Sequence, residues 1–382
     1  MQANAHQSGS GPLAGVKVLD FGQVVSAPMG AMWLAEQGAD VVKVEPPAGD
    51  PLHLSGPTVN GYSALYAGVN RAKRLEVLDL SDADSRPRLE ELIRWADVLI
   101  QNFRPGVAER LGLGWEDAKA LNDRLIYVSV SGFGPDGPYA GQRVYDMAVQ
   151  AVTGMADAQS IASGKPTLMA DIVVDKVTSL TVAQAATAAL FERERSGKGQ
   201  HIEIAMLDAA LAWHWPEGLW HETFPDAESD YPPYAKLNKP VPAKDGAVVQ
   251  GAMQYKEATA LAKAVGMGHL LAEERFSTLE TWRENGREFW RALNAKVAET
   301  PVAELREGFI REEAIGAVIN PAEAVKDDPQ VKHRDLIRDI ELEGVGRVRA
   351  PRHPARFSRT PAGDPKAPPP KPAATPSKPG GG

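Results

Sequence analysis

Residues Val16–Val44, VKVLDFGQVVSAPMGAMWLAEQGADVVKV, decide how the rest of the chain is read. Val16–Phe21 is an apolar run of strand length. Pro28–Gln37 is made mostly of helix formers and stops at Gly38. Asp40–Val44 is short and rich in valine. A strand, a helix and a strand at this spacing predict a right-handed βαβ unit with parallel strands. The alternation continues, with helical patterns at Leu89–Ala96 and Trp115–Leu121 and strand patterns at Val98–Gln101 and Leu125–Ser131. A long Ala-rich helix over Asp175–Arg195 follows, then a strand at His201–Ala205 and a helix at Met206–Trp213. The class this predicts is α/β, an open, Rossmann-like parallel sheet with helices on both faces.

Working outward, the character of the chain changes. Residues 1–12 read as a flexible leader and 13–223 as the large Rossmann-like domain. The Pro- and Tyr-rich stretch 224–242 reads as a linker, and 243–319 as a small α+β domain, with a strand in AVVQGAM and helices at Tyr255–Val265 and Glu288–Ala298. Residues 320–360, with a hairpin expected at Gly344–Pro351, follow. The final stretch, 361–382, is dominated by Pro, Lys, Ala and Gly, and is expected to be disordered.

Composition narrows the function. The chain has 382 residues, a net charge of -8 and no cysteine. A general nucleic-acid surface is not expected from that charge. Disulfides, thiolate metal sites and cysteine nucleophiles are excluded, which fits a cytoplasmic location. No apolar run approaches the roughly 18 residues needed to span a bilayer. The eight histidines show neither HxH nor HExxH spacing, so no metal site is expected.

The remaining signals sit after predicted strands, where α/β folds bind ligands. The first turn, Gly22–Gly30, lacks the GxGxxG dinucleotide spacing. Asn102-Phe103-Arg104-Pro105-Gly106 leads into a helix carrying Arg110. Backbone N–H groups at a helix start beside two arginines make an anion cradle, although the same residues also suit a solvated loop. Asn70-Arg71-Ala72-Lys73-Arg74 is a second basic cluster. Ser131–Pro138 is a glycine-rich turn, followed by Arg143 and Tyr145. Trp213, Trp215, Trp220 and Tyr231 suit either an apolar acyl site or core packing. Asp171 and Asp175 stand at the mouth of the Ala-rich helix. Either can cap it. Either can also serve as a nucleophile, kept ionised by the positive end of the helix dipole.

Six segments, taken in order, resemble the family III CoA-transferases of the CaiB/BaiF type, which include formyl-CoA:oxalate and carnitine CoA-transferases. They are GVKVLDFGQVVSAPMGAMWLAEQGADVVKVEPPAGDP, NRAKR, NFRPGVAERLGLGWEDAKALNDRLIYVSVSGFGPDGPY, YDMAVQAVTG, DKVTSLTVAQAATAALFERERSGKGQHIEIAMLDAAL and NPAEAVKDDPQVKHRD. The resemblance implies a large Rossmann-like domain and a small domain joined by two linkers, with 320–360 returning to the large domain. It also implies a ring-shaped monomer interlocked with a second copy in a homodimer. The implied activity moves CoA from an acyl-CoA donor to a small carboxylic acid acceptor. Coenzyme A is then a substrate, and no cofactor is bound permanently. Asp175 falls at the family's catalytic aspartate, with Asp171 as the second candidate. Val25, Ser26, Leu78, Asn102, Phe103, Arg104 and Arg110 fall at its CoA contacts, and Arg143 and Tyr145 near the thioester.

The same fold serves α-methylacyl-CoA racemases, whose catalytic histidine lies in a GHD-type motif. Here that motif reads Val144-Tyr145-Asp146. A phenol with a pKa of about 10 is a poor substitute for a base poised near neutrality. A racemase, or a CoA-binding homologue without activity, are the alternative readings. The glycine-rich small-domain loop of the oxalate enzymes has only Gly251-Ala252-Met253-Gln254 as its nearest match, and their C-terminal P-x-LG-x-H pattern is replaced by APPPKPAATPSKPGGG.

Overall fold

A computed structural model describes residues 10–370 except 238 and 344. Two compact units emerge among them. The larger contains 10–159, 166–223 and 330–370, and the smaller contains 160–165 and 224–329.

In the larger unit the strands are β1 (Lys17–Asp20), β2 (Asp40–Glu45), the two-residue pair β3 (Thr58–Val59) and β4 (Tyr62–Ser63), β5 (Arg74–Val77), β6 (Val98–Gln101), β7 (Ile126–Ser131) and β8 (Gln200–Ala205). Six of them form one sheet in the order β5-β2-β1-β6-β7-β8. Every ladder in it is parallel. The order runs outward from β1 in one direction and then restarts beside it with β6. The crevice between the carboxyl ends of β1 and β6 is therefore the topological switch point of the sheet, where such folds admit ligands.

The helices are α1 (Ser26–Glu36), α2 (Ala64–Val69), α3 (Arg86–Trp95), α4 (Val107–Arg110), α5 (Trp115–Leu121), α6 (Asp146–Val152), α7 (Met155–Ser163), α8 (Val173–Ser196) and α9 (Met206–Gly218). Alternate strand residues build two cores, as a period of two requires. Val18, Val98, Ile100 and Val128 pack with residues of α1 and α8 on one face. Leu19, Phe21, Leu99 and Tyr127 pack with α3 and α5 on the other.

Helix α1 starts at Ser26, two residues earlier than its sequence suggests. Pro28 then sits in the first turn, where its missing N–H removes no intrahelical bond. Helix α8 starts at Val173, so Asp175 is its third residue and not its opening one. The cause is a carboxylate from elsewhere, described below. Helix α8 ends at Gly197, whose φ of 73° suits a glycine cap.

The smaller unit has a three-stranded antiparallel sheet of β9 (Val241–Ala243), β10 (Gly246–Gln250) and β11 (Gly316–Val318). Helices α10 (Tyr255–Ala264), α11 (Leu279–Glu284), α12 (Gly286–Glu299) and α13 (Val302–Arg311), with the turn Glu274–Phe276, supply its core, built on Phe276, Trp282, Phe289, Leu305 and Phe309. After α14 (Pro329–His333) the chain is again in the larger unit, where β12 (Ile337–Leu342) and β13 (Gly346–Pro351) pair antiparallel. His353 meets the Trp33 ring edge-on at 5.7 Å in the larger unit.

Part of each stretch expected to be flexible or disordered makes contacts with the larger unit. Residues 10–12 belong to an ordered turn in which Leu13 N donates to Gln37 O at 2.9 Å. Pro365, Pro368 and Pro369 are buried, and Ala367 O accepts from Ala72 N at 3.2 Å. Proline-rich chain packs here because its extended backbone needs few partners of its own. Residues 1–9 and 371–382 lie outside the described residues.

One close approach sets the geometry of the site. Gly30 of α1 faces α8 so tightly that a Cβ there would come within 2.6 Å of Val182 Cγ1 and 3.1 Å of the Ser179 carbonyl oxygen. Gly30→Ala is expected to cost about 1–3 kcal/mol of stability by overpacking, measured by urea unfolding.

Candidate active site

A cleft of ≈ 500 Å³ opens at the switch point. Its floor includes Ser26 at the start of α1 and Asp175 in the first turn of α8. Asn102, Phe103 and Arg104 enter from the loop after β6, and Arg143 and Tyr145 from the approach to α6.

Asp175 is only 7 % exposed. Burial pushes its carboxyl up to about 7, helped by the neighbouring charge of Asp146. Hydrogen bonds from the Ser26 side chain and main chain pull the other way. The sequence led us to expect a carboxylate kept ionised by the dipole of α8. That expectation is corrected because Asp146 takes the positive end. Its Oδ2 accepts from Val174 N at 2.6 Å and Asp175 N at 3.1 Å. Gln150 donates to the other oxygen of Asp146, and its own Oε1 accepts from Met169 N at 2.9 Å. Helix α8 is thus capped by a residue 28 positions before Val174.

Asp171 has a different environment. Its side chain is 81 % exposed and lies 3.1 Å from Lys176 Nζ. It does not line the cleft.

The loop after β1 is stitched to the loop after β6. Gln23 N donates to Asn102 Oδ1 and Asn102 Nδ2 donates back to Gln23 O, both at 2.8 Å. The Asn102 amide is therefore committed to joining the loops after β1 and β6 across the crevice. Val24 sits between them with φ of 64°, a conformation unfavourable for a β-branched residue. Arg104 and Arg143 form no ion pair among the described residues, so both can meet an anionic ligand.

The cleft thus gathers Ser26, Asn102, Phe103, Arg104, Arg143, Tyr145 and Asp175. Three other candidates do not line it. Val25 is buried with Leu52, Tyr66 and Val69. Leu78 is buried in the core under α3. Arg110 is exposed at the end of α4. The basic cluster at 70–74 is not an anion cradle either. Arg71 pairs with Glu36 at 2.7 Å, Lys73 with Asp20 at 2.7 Å, and Arg74 with Asp40 at 2.8 Å. Sequence reasoning missed the role of Asp146, which it met only as the last residue of the Val144-Tyr145-Asp146 triplet. A cap supplied from another helix leaves no local spacing to read.

Among the described residues no group of three or more His, Asp or Glu side chains is disposed to hold a metal ion. None of their helices is long and apolar enough to cross a membrane.

Residues 13–374 match the model of CoA-transferase family III. The chain is similar to the succinate–glutarate CoA-transferase of Agrobacterium fabrum, 31 % identical over 360 residues, covering 91 % of this chain and 90 % of that one. It is similar to the succinyl-CoA:mesaconate CoA-transferase of Haloarcula marismortui, 31 % identical over 357 residues and covering 87 % of each chain. Its fold matches the crystal structure of a CAIB/BAIF family protein from Brucella suis with a TM-score of 0.80. That pair is 29 % identical, over 94 % of this chain and 96 % of the other. The chain belongs to CoA-transferase family III. It is a transferase, and the parallel sheet with flanking helices is the fold of that family.

The pH dependence of stability tests the environment of Asp175. The folded state keeps a proton up to about pH 7 that the unfolded chain releases near 3.8. The stability contributed by this group therefore falls as pH rises from 3.8 to about 7. Asp175→Asn, neutral throughout, is expected to match the parent Tm at about pH 4. It should then exceed it by a margin that grows up to about pH 7 and is constant above. Calorimetry across that range measures it.

Proposed function

We propose that the protein moves CoA between carboxylic acids through covalent intermediates on Asp175. The observation that carries this is a buried carboxylate at the floor of a cleft whose walls carry Arg104 and Arg143. A desolvated carboxylate is a stronger nucleophile than a hydrated one.

In this mechanism Asp175 Oδ attacks the thioester carbonyl of the donor. The C–S bond breaks, giving an aspartyl mixed anhydride and CoA thiolate. The thiolate attacks the aspartyl carbonyl, releasing the donor acid and leaving an aspartyl–CoA thioester. The acceptor carboxylate attacks that carbonyl and displaces the thiolate, which then attacks the acceptor acyl group. Acyl-CoA leaves and Asp175 is restored. Each step exchanges one acyl bond for another, so activation is kept and no redox change occurs. Main-chain N–H groups of the glycine-rich turn after β7 are candidate donors to the tetrahedral oxyanions.

The relatives named above act on succinate, glutarate and mesaconate derivatives. We read the substrates here as short dicarboxylic acids and their CoA thioesters. Arg143 would meet the carboxylate that does not react. Among the described residues no histidine lines the cleft, and Tyr145, at the position of the racemase base, is 64 % exposed. Both facts favour transfer over racemisation.

The test uses a panel of acyl-CoA donors and acids. Asp175→Ala is expected to lower transfer at least about a thousandfold, while Asp171→Ala stays within about threefold of the parent. For the parent, kcat/KM should rise with pH through about 7, because the carboxylate is the reactive form. Hydroxylamine trapping should modify the peptide containing residue 175. Full activity of Asp175→Ala would reject the assignment, and α-proton exchange without any acceptor acid would favour the racemase.

A further inference from the structure

Behind the cleft the larger unit buries a cluster of charges that the transfer steps do not use. Asp20, Lys43, Glu45, Asp50, His53 and Lys73 are each at most 5 % exposed. Two ion pairs within it grip the same stretch of backbone. Lys73 Nζ donates to Asp20 Oδ2 at 2.7 Å and to Pro28 O at 2.7 Å, while Asp20 Oδ1 accepts from Gly22 N at 2.8 Å. Lys43 Nζ lies 3.1 Å from Asp50 Oδ2 and donates to Gly22 O at 2.8 Å. Asp50 Oδ1 accepts from Val24 N at 3.4 Å. The loop 22–28 is thus held by an acid and an ammonium at its start, and by an ammonium at its end.

Stability alone does not account for this arrangement. Buried ion pairs are often no more stabilising than apolar side chains of the same volume. What apolar side chains cannot do is bond an N–H and a C=O of one loop together. The loop needs such restraint, because it holds Val24 at positive φ and carries Ser26, which lines the cleft together with Asp175 and favours its ionised form.

We propose that the Asp20–Lys73 and Asp50–Lys43 pairs are positioning residues for CoA transfer: they fix the path of loop 22–28 and thereby hold Ser26 against the Asp175 carboxylate. The proposal rests on the reading of Asp175 as the nucleophile. The four residues act through the loop and do not touch substrate.

A double-mutant cycle on the full chain tests it, with kcat/KM followed against pH for a donor and acceptor that the parent turns over. Ser26→Ala and Lys73→Met are each expected to lower kcat/KM about tenfold at neutral pH. Each should also move its acid limb upward, since the Ser26 hydrogen bonds are what lower the Asp175 pKa. The double variant should lose no more than the worse single one, because both changes remove the same contact. Losses that multiply to about a hundredfold, with the acid limb of Lys73→Met unmoved, would overturn the proposal. So would a Ser26→Ala variant with an unchanged profile.

Lys73→Met leaves Asp20 buried without its counter-charge and can fail to fold. The charge-matched backgrounds Lys73→Met/Asp20→Asn and Lys43→Met/Asp50→Asn therefore carry the same cycle, with the same expectations. Asp175→Ala is assayed beside them. If it keeps full activity, the nucleophile reading falls and takes this proposal with it. If it is inert and the cycle is multiplicative, only this proposal falls.

Discussion

The positive end of a helix can be given to one carboxylate fully or to two poorly, and the site depends on how that choice is made. Here Asp146 Oδ2 takes the N–H groups of Val174 and Asp175. The first turn of α8 is satisfied before Asp175 can use it. Asp175 is left buried, beside a like charge, with only Ser26 to favour ionisation. A carboxylate in that position is poised near neutrality instead of fully ionised, a perturbation of the kind that clusters at functional sites.

A second constraint follows from the sheet. The switch point brings the loops after β1 and β6 together, and the Gln23–Asn102 amide pair joins them across the gap. The loop after β1 is therefore restrained from both sides, by Asn102 above and by buried ion pairs below. Gly30 lets α1 approach α8 closely enough for the two helix starts to share one floor. Cleft walls, helix starts and the Asp175 carboxylate thus meet at the switch point, where Ser26 and Asp175 line one cleft.

Much of this was legible in the sequence because it is local. Strands at 98–101 and 126–131, the helix at 115–121 and the long α8 carry their own periodicity, and the αβ alternation gives the parallel sheet. The Ala-rich run alone left Asp171 and Asp175 equal; the structure separates them by burial, Asp175 lining the cleft and Asp171 lying exposed. What escaped the sequence is tertiary. No spacing shows that Asp146 caps α8, that the arginine and lysine at 71 and 73 face inward to Glu36 and Asp20, or that Leu78 belongs to the core. Basic residues in a row look alike whether they await an anion or are already paired. The order of residues 361–370 was also invisible, since a proline-rich composition argues for disorder until a complementary surface is known.

That last segment bears on how the protein comes into being. The larger unit is assembled from 10–159, 166–223 and 330–370, and Ala367 bonds to Ala72, next to the lysine that holds the loop beneath the cleft. During synthesis every residue of the smaller unit, 160–165 and the continuous stretch 224–329, is made before that. The larger unit must wait for residues 330–370 to leave the ribosome before its last contacts form. The two cores on the faces of its sheet, by contrast, are drawn entirely from residues 13–210, so they are complete in partners before the smaller unit's long stretch is made.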